Sequence, residues 1–143
     1  MKYPVFGSTT IGGTAATIGD HLEVTRSYSL LGTTITPGRV FWLRECGFVI
    51  GSAATRSAGG VALIDAAPGV TTISPTSTEL KYVMQGATIT NANGGACDIF
   101  KFAEPGLKFT SGYVSIIKLA SVGGAVTCTA TGYYKAWGFG YEE

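Results

Sequence analysis

The chain has 143 residues and a formal net charge of +1, with 13% charged and 45% hydrophobic residues, 21 glycines and one histidine. Its ten Lys and Arg are scattered singly, which excludes a basic field for nucleic acid, since phosphate neutralisation needs grouped cations. The length implies one domain that folds without a metal or disulfide staple, and the charge is low enough to favour association over a monomeric surface.

Residues 1–19 read as a flexible Gly/Thr-rich arm ahead of a domain spanning residues 20–143. Ser8 to Gly19 carries little bulk to bury and much backbone entropy to lose. An arm of this composition orders against a neighbouring subunit. Its aromatic residues Tyr3 and Phe6 are candidate contacts. The short apolar run after Met1-Lys2 is no secretory h-region, and no stretch approaches membrane-spanning length. A product soluble where it is made, without membrane contact, is the expectation.

From Asp20 onward the pattern is that of strands. Residues 21–31 alternate loosely and end at Gly32. Pro37-Gly38 is a turn, because proline presets one central φ and glycine takes the positive φ that follows. Residues 40–50 form the strongest strand, apolar on both parities, with Trp42, Cys46 and Phe48 on one and Phe41, Leu43 and Val49 on the other. Such a strand is central in its sheet or covered on its outer side. A short strand over residues 61–66 closes at Pro68-Gly69. Leu80, Tyr82 and Met84 alternate with Lys81, Val83 and Gln85. Asn93-Gly94 signals a hairpin. A strand over residues 97–103 ends at Pro105-Gly106, extended segments follow at 107–109 and 112–119, and Gly123-Gly124 leads to a final strand from Ala125 to about Tyr141. With about eight strands and no long helical period, the fold class is all-β: a single antiparallel sandwich, jelly-roll-like.

Sites for chemistry are sparse. Cys46, Cys97 and Cys128 are an odd, widely spaced set that reads as small buried hydrophobes, with one disulfide as the other possibility. Asp20-His21-x-Glu23 places an imidazole between two acids, but alternation puts Asp20 on the opposite face from His21 and Glu23. A solvated strand edge explains it better. Asp65, Glu79, Asp98 and Glu104 are the carboxylates a glycosidase pair would draw on, and spacing alone pairs none of them. No nucleophile elbow, Walker loop or dinucleotide fingerprint occurs, so no catalytic residue, cofactor or metal is expected.

The C-terminal segment stands apart. Alternation puts Tyr133, Lys135, Trp137, Phe139 and Tyr141 on one face and Tyr134, Ala136, Gly138 and Gly140 on the other. The aromatic ladder is core, a subunit interface or a sugar-stacking platform; the bare face admits another backbone or sheet closely. Tyr133, Trp137, Phe139 and Tyr141 join Tyr3 and Phe6 as candidate interface residues.

Residues 39–134 resemble the single jelly-roll virion proteins of tailed bacteriophages, such as head decoration (cement) proteins. The resemblance is carried by Val40-Phe41-Trp42-Leu43-Arg44, by Val61-Ala62-Leu63-Ile64-Asp65 before Pro68-Gly69, by the segment from Glu104-Pro105-Gly106 to Tyr113-Val114, and by Ala125-Val126-Thr127-Cys128-Thr129-Ala130. It implies a non-enzymatic virion protein, made in the host cytoplasm. Such a protein binds and reinforces a capsid surface, with the major capsid protein or another virion protein as partner, and is a homo-oligomer, often a trimer. The alternative is a carbohydrate- or receptor-binding sandwich of a phage fibre or spike.

Overall fold

The computed structural model describes residues 1–12, 16–17, 21–51, 60–69, 72–74, 76–85, 96–121 and 133–143. Twelve strands run in chain order: β1 (Tyr3–Ile11), β2 (Ala16–Thr17), β3 (Leu22–Glu23), β4 (Tyr28–Ser29), β5 (Phe41–Gly51), β6 (Gly60–Ile64), β7 (Thr72–Ile73), β8 (Leu80–Gln85), β9 (Ala96–Lys101), β10 (Leu107–Phe109), β11 (Ser115–Ser121) and β12 (Tyr133–Glu142). A single 3-10 turn at Val24–Arg26 separates β3 from β4.

Two five-stranded sheets make the sandwich. The first runs β1-β12-β5-β10, with β9 also on β5; the second runs β2-β11-β6-β8, with β4 also on β11. Setting aside the β3–β7 pair and the two-residue β2, which runs parallel to β11, and reading β9 with β10 as one interrupted strand leaves eight principal strands. They pair first with last, second with seventh, third with sixth and fourth with fifth, and the principal ladders are antiparallel. A long hairpin rolled up on itself has this connectivity, which is the jelly roll.

The main core lies between the sheets. Phe41, Leu43, Cys46, Phe48 and Ala136 of the first sheet meet Val61, Leu63, Met84 and Ile116 of the second, with Leu30, Leu31, Ile35, Phe109 and Val114 filling the ends. A second cluster lies on the far side of the second sheet, where Ala62, Ile64, Ile117 and Leu119 pack against Leu22, Val24 and Ile73. The ribbon β3–β7 covers that side, so every residue of β6 is buried.

Two corrections follow. Residues 3–11 are not an arm free of the sheet: they pair one for one with β12 as the first strand of the roll. Small Gly, Ser and Thr side chains suit a strand crossed closely on its inner side, where the Leu31 carbonyl oxygen lies 2.0 Å from the place a Cβ on Gly7 would take. The second correction concerns β5. It is central in its sheet, as expected, but its buried residues do not keep one parity, because Phe139 pairs with Glu45 and Gly140 with Leu43, leaving Arg44 as an extra, bulged residue. A bulge reverses the alternation, so Phe41 and Leu43 before it and Cys46 and Phe48 after it all point into the core. Lys81 interrupts β8 similarly, since Leu63 pairs with Tyr82 and Ile64 with Leu80.

The turns at Pro37-Gly38, Pro68-Gly69 and Pro105-Gly106 stand as expected, with positive φ at each glycine. Asn93-Gly94, Gly123-Gly124 and the strand expected over residues 125–130 lie outside the described residues.

Candidate functional site

The outer face of the first sheet is the candidate site. Registered neighbours across an antiparallel ladder point the same way. Phe6, Phe139 and Glu45 therefore share this face, as do Ser8, Trp137, Gly47 and Ile99, and Pro4, Tyr141, Trp42 and Lys108. The inner face of β12 is the bare one: Ala136, Gly138 and Gly140 are buried. A Cβ on Gly140 would lie 2.1 Å from the Trp42 carbonyl oxygen, and one on Gly138 2.9 Å from Leu30 Cδ2. Glycine on that side lets the core close, and in doing so it turns the ladder outward.

The ladder is a continuous aromatic surface. Phe6 and Trp137 have ring centroids 6.3 Å apart, and Phe139 meets Tyr141 edge-on at 5.3 Å. The Trp137 indole lies over Gly47, whose missing side chain makes room for it. Lys108 Nζ sits 5.5 Å from the Trp42 ring centroid, and the Trp42 indole N–H donates to Glu143. Phe6, Ile99 and Val49 on this face are 68%, 53% and 41% exposed. They are half of the large hydrophobic residues exposed among the described ones.

At one end of this face, beside the bulge, a hollow of about 320 Å³ is lined by Arg44, Glu45, Lys101, Glu104, Phe139 and Tyr141, among others. Arg44 donates to the carboxylate of Glu104 and to the Phe102 carbonyl. That guanidinium holds the Glu104 carboxyl below the ordinary glutamate range.

Of the residues the sequence singled out, the structure gathers Phe6, Trp137, Phe139 and Tyr141 on this face. Tyr3 falls on the other parity, where its ring carries the Arg39 guanidinium at 4.0 Å. Tyr133 pairs with Gly51 at the far end of β12, and its side chain is outside the described residues. Trp42, Val49 and Ile99 were missed. The signal that could have found Trp42 was Arg44, a charge interrupting an apolar run and marking the bulge that separates Trp42 from the parity of Cys46 and Phe48.

Elsewhere the titratable residues have structural duties. Asp65 accepts from the Thr110 and Ser111 amides and the Thr110 hydroxyl, fixing the loop after β10. Burial pushes its carboxyl up, but the bonds from Ser111 and Thr110 outweigh this and hold it below the ordinary aspartate range. Asp65 and Glu79 line one hollow, with Ser77 and Ser111; Glu104 belongs to the hollow beside the bulge. Asp98 sits in β9 with its Oδ2 buried and lacking a hydrogen-bond partner among the described residues. Exposed His21 is followed by Glu23, which bonds Arg26 at 2.7 Å, while Asp20 is outside the described residues. Cys46 is buried 3.8 Å from Met84 Sδ. Burial, then the charge of Glu45, pushes its thiol up to about 12.

Glu142 closes the C-terminal end. Its carboxylate accepts from the Thr36 amide and hydroxyl at 3.0 and 2.6 Å and from Arg39 at 2.8 Å. The Thr36 bonds, with Arg39 behind them, hold the carboxyl below the ordinary glutamate range. Glu143 exchanges backbone bonds with Val40 at 2.9 Å in both directions, so the end of β12 is tied to the start of β5.

No family model matches the chain, and no curated protein matches it. Among solved structures it is similar to the exo-beta-1,3-galactanase of Phanerochaete chrysosporium, at 10% identity over 94% of this chain and a TM-score of 0.38. The chain spans about a quarter (27%) of that protein's length. It is also similar to the coat protein of tobacco streak virus, at 13% identity over 94% of this chain and 85% of that one, with a TM-score of 0.33. A third likeness is to infectious bursal disease virus, at 10% identity over 99% of this chain and 32% of that one, with a TM-score of 0.36. These superpositions are loose.

Proposed function

We propose that the protein is a non-enzymatic structural component of a virus particle, attached to a capsid surface through the outer face of its first sheet. One observation carries the reading. Phe6, Trp42, Trp137, Phe139 and Tyr141 lie together on a sheet face that nothing in the described chain covers, and aromatic residues of this kind dominate protein contact surfaces. The low charge of the whole chain fits a protein used in an assembly. The assignment to a particle rests on the phage resemblance of residues 39–134 together with this face; the loose superpositions carry none of it. A decoration role requires a contact of about 1,000 Å² or more per copy, and repeated attachment across a lattice multiplies retention.

The test is co-sedimentation of the purified chain with capsids of the virus that encodes it, stripped of this protein. The expected result is saturable binding by the wild type and loss of binding by the double variant Phe6→Ser, Phe139→Ser. Wild-type chain that stays in the supernatant sinks the decoration role. Closed shells formed by the chain alone, seen by electron microscopy, would make it a shell subunit instead.

A carbohydrate-binding role is the second reading, favoured by the hollow where Phe139 and Tyr141 stand among Arg44, Glu45, Lys101 and Glu104. It predicts that a glycan quenches tryptophan fluorescence and that Tyr141→Ala removes the quenching. A glycan panel with no response discards it.

A further inference from the structure

Among the described residues the outer edge of β1 is unpaired, and it is a more specific surface than the aromatic face. β1 is the outermost strand of the first sheet and is bonded to β12 along its whole length. An antiparallel ladder engages alternate N–H and C=O groups, so the remaining ones on β1 face away from β12. Among the described residues, no backbone hydrogen bond outside the β12 ladder involves residues 3–11. The nearest side-chain bond on this flank, from the Tyr28 hydroxyl, reaches Gly12 just past the strand.

Proteins ordinarily blunt such an edge with charge, shortness, a bulge or a covering element. β1 has nine residues, an unbroken one-for-one register and no charged side chain; Pro4, near its start, is its single blunting residue. The opposite edge of the sheet is built differently. It is divided between β9 and β10 and carries Asp98, Lys101 and Lys108. Among the described residues, one edge carries charge and a break, while the other carries neither, with Leu31 and Gly32 approaching Gly7 and Ser8 beside it.

We propose that β1 is a pairing edge and that its occupant is β1 of a second copy, added antiparallel about a two-fold axis normal to the sheet. The proposal rests on the assembly reading above and names a partner for it. Only another extended strand can match alternating donors and acceptors over a span of about 30 Å, the length of nine extended residues. Two uncharged strands approach without repulsion. The antiparallel sense sends the Lys2 ammonium groups to opposite ends, whereas a parallel pair would set them side by side. The axis also keeps both outer faces on one side, so Phe6 and Trp137 of each copy extend the other's aromatic surface. A two-fold pair replaces the trimer that the phage resemblance implies.

Ser8→Lys and Thr10→Lys test this on the intact chain, because both side chains are exposed and point away from the core. Light scattering across concentration should give a wild-type mass twice 14.8 kDa. Each lysine variant should dissociate at several-fold higher concentration, with its melting temperature as monomer unchanged. Mixing Ser8→Lys with Ser8→Glu should restore the pair. Slowed amide exchange at alternate β1 residues in the dimer should accompany it. A wild-type chain that stays monomeric at millimolar concentration overturns the proposal, as does a dimer indifferent to both lysines. Capsid co-sedimentation separates the two ideas: a monomer that still binds capsids refutes the pairing edge alone, and a lysine-sensitive dimer that ignores capsids refutes the decoration role alone.

Discussion

The two sheets of this roll have outer faces of opposite character. The second sheet turns Ala62, Ile64, Ile117 and Leu119 outward, and the chain covers them itself with Leu22, Val24 and Ile73. The first sheet turns Phe6, Trp42, Val49, Ile99, Trp137, Phe139 and Tyr141 outward, and nothing among the described residues covers them. A chain that spends a strand pair and a 3-10 turn on hiding one apolar face while leaving another bare treats the two as different objects. The covered face is a second core, and the bare one is the surface proposed above to meet another molecule.

The largest effect is expected from a cut into the covered face. Ile117 is fully buried there, and Ile117→Ala should cost about 2–5 kcal/mol, the range for a large-to-small change that leaves a cavity. Denaturant unfolding measures it. A loss under 1 kcal/mol would mean that the β3–β7 ribbon packs loosely and that the two faces differ less than their burial says.

Next comes the glycine seam that turns the ladder outward. Gly140→Ala drives a methyl group into the Trp42 carbonyl and the Phe41 ring, and the first of these contacts is backbone. About 1–3 kcal/mol of overpacking strain is expected, read as a lowered melting temperature. Wild-type stability in this variant would show that β12 can shift outward freely, so that the bare side of the strand is not what orients the aromatic residues.

Glu142 acts from the end of the strand, where it anchors the ladder to the Thr36 loop. Its folded carboxyl lies below the ordinary glutamate range, so its contribution is fully present above that range and is lost as pH falls through the folded value. Glu142→Gln should remove about 1 kcal/mol at neutral pH and flatten the stability profile below pH 4.5, the ordinary glutamate value. An unchanged acid profile would make Asp65, held low by Ser111 and Thr110, the carboxylate that matters.

Much of this architecture was legible in the sequence, and what was not has local causes. Turn chemistry marked the strand boundaries at Pro37-Gly38, Pro68-Gly69 and Pro105-Gly106 because those pairs act through their own backbone angles. Residues 3–11 misled because composition measures what a segment can bury by itself. β1 gains its order from the ladder to β12, a partner more than a hundred positions away. The ladder's direction was undecided for a related reason: alternation separates two faces but does not say which is inside. The glycines at 138 and 140 decide it, through the approach of Leu30 and Trp42 from distant parts of the chain. The bulge at Arg44 scrambled the parity of β5, and Trp42, Val49 and Ile99 went unnoticed with it.

The smallest expected effect on stability is the one most informative about function. Phe6 is largely exposed, so Phe6→Ser should change the unfolding free energy by no more than about 0.5 kcal/mol, as surface substitutions do. The same substitution should weaken any contact made by the open face, because an exposed aromatic residue beside Trp137 is a natural anchor for a partner. Both tryptophans of the chain, Trp42 and Trp137, lie on this face, so their fluorescence reports on it alone. Acrylamide should quench them in the free chain and fail to do so once a partner is bound. Quenching that persists in a particle known to contain the protein would place the contact elsewhere and leave the aromatic face facing water, which its composition argues against.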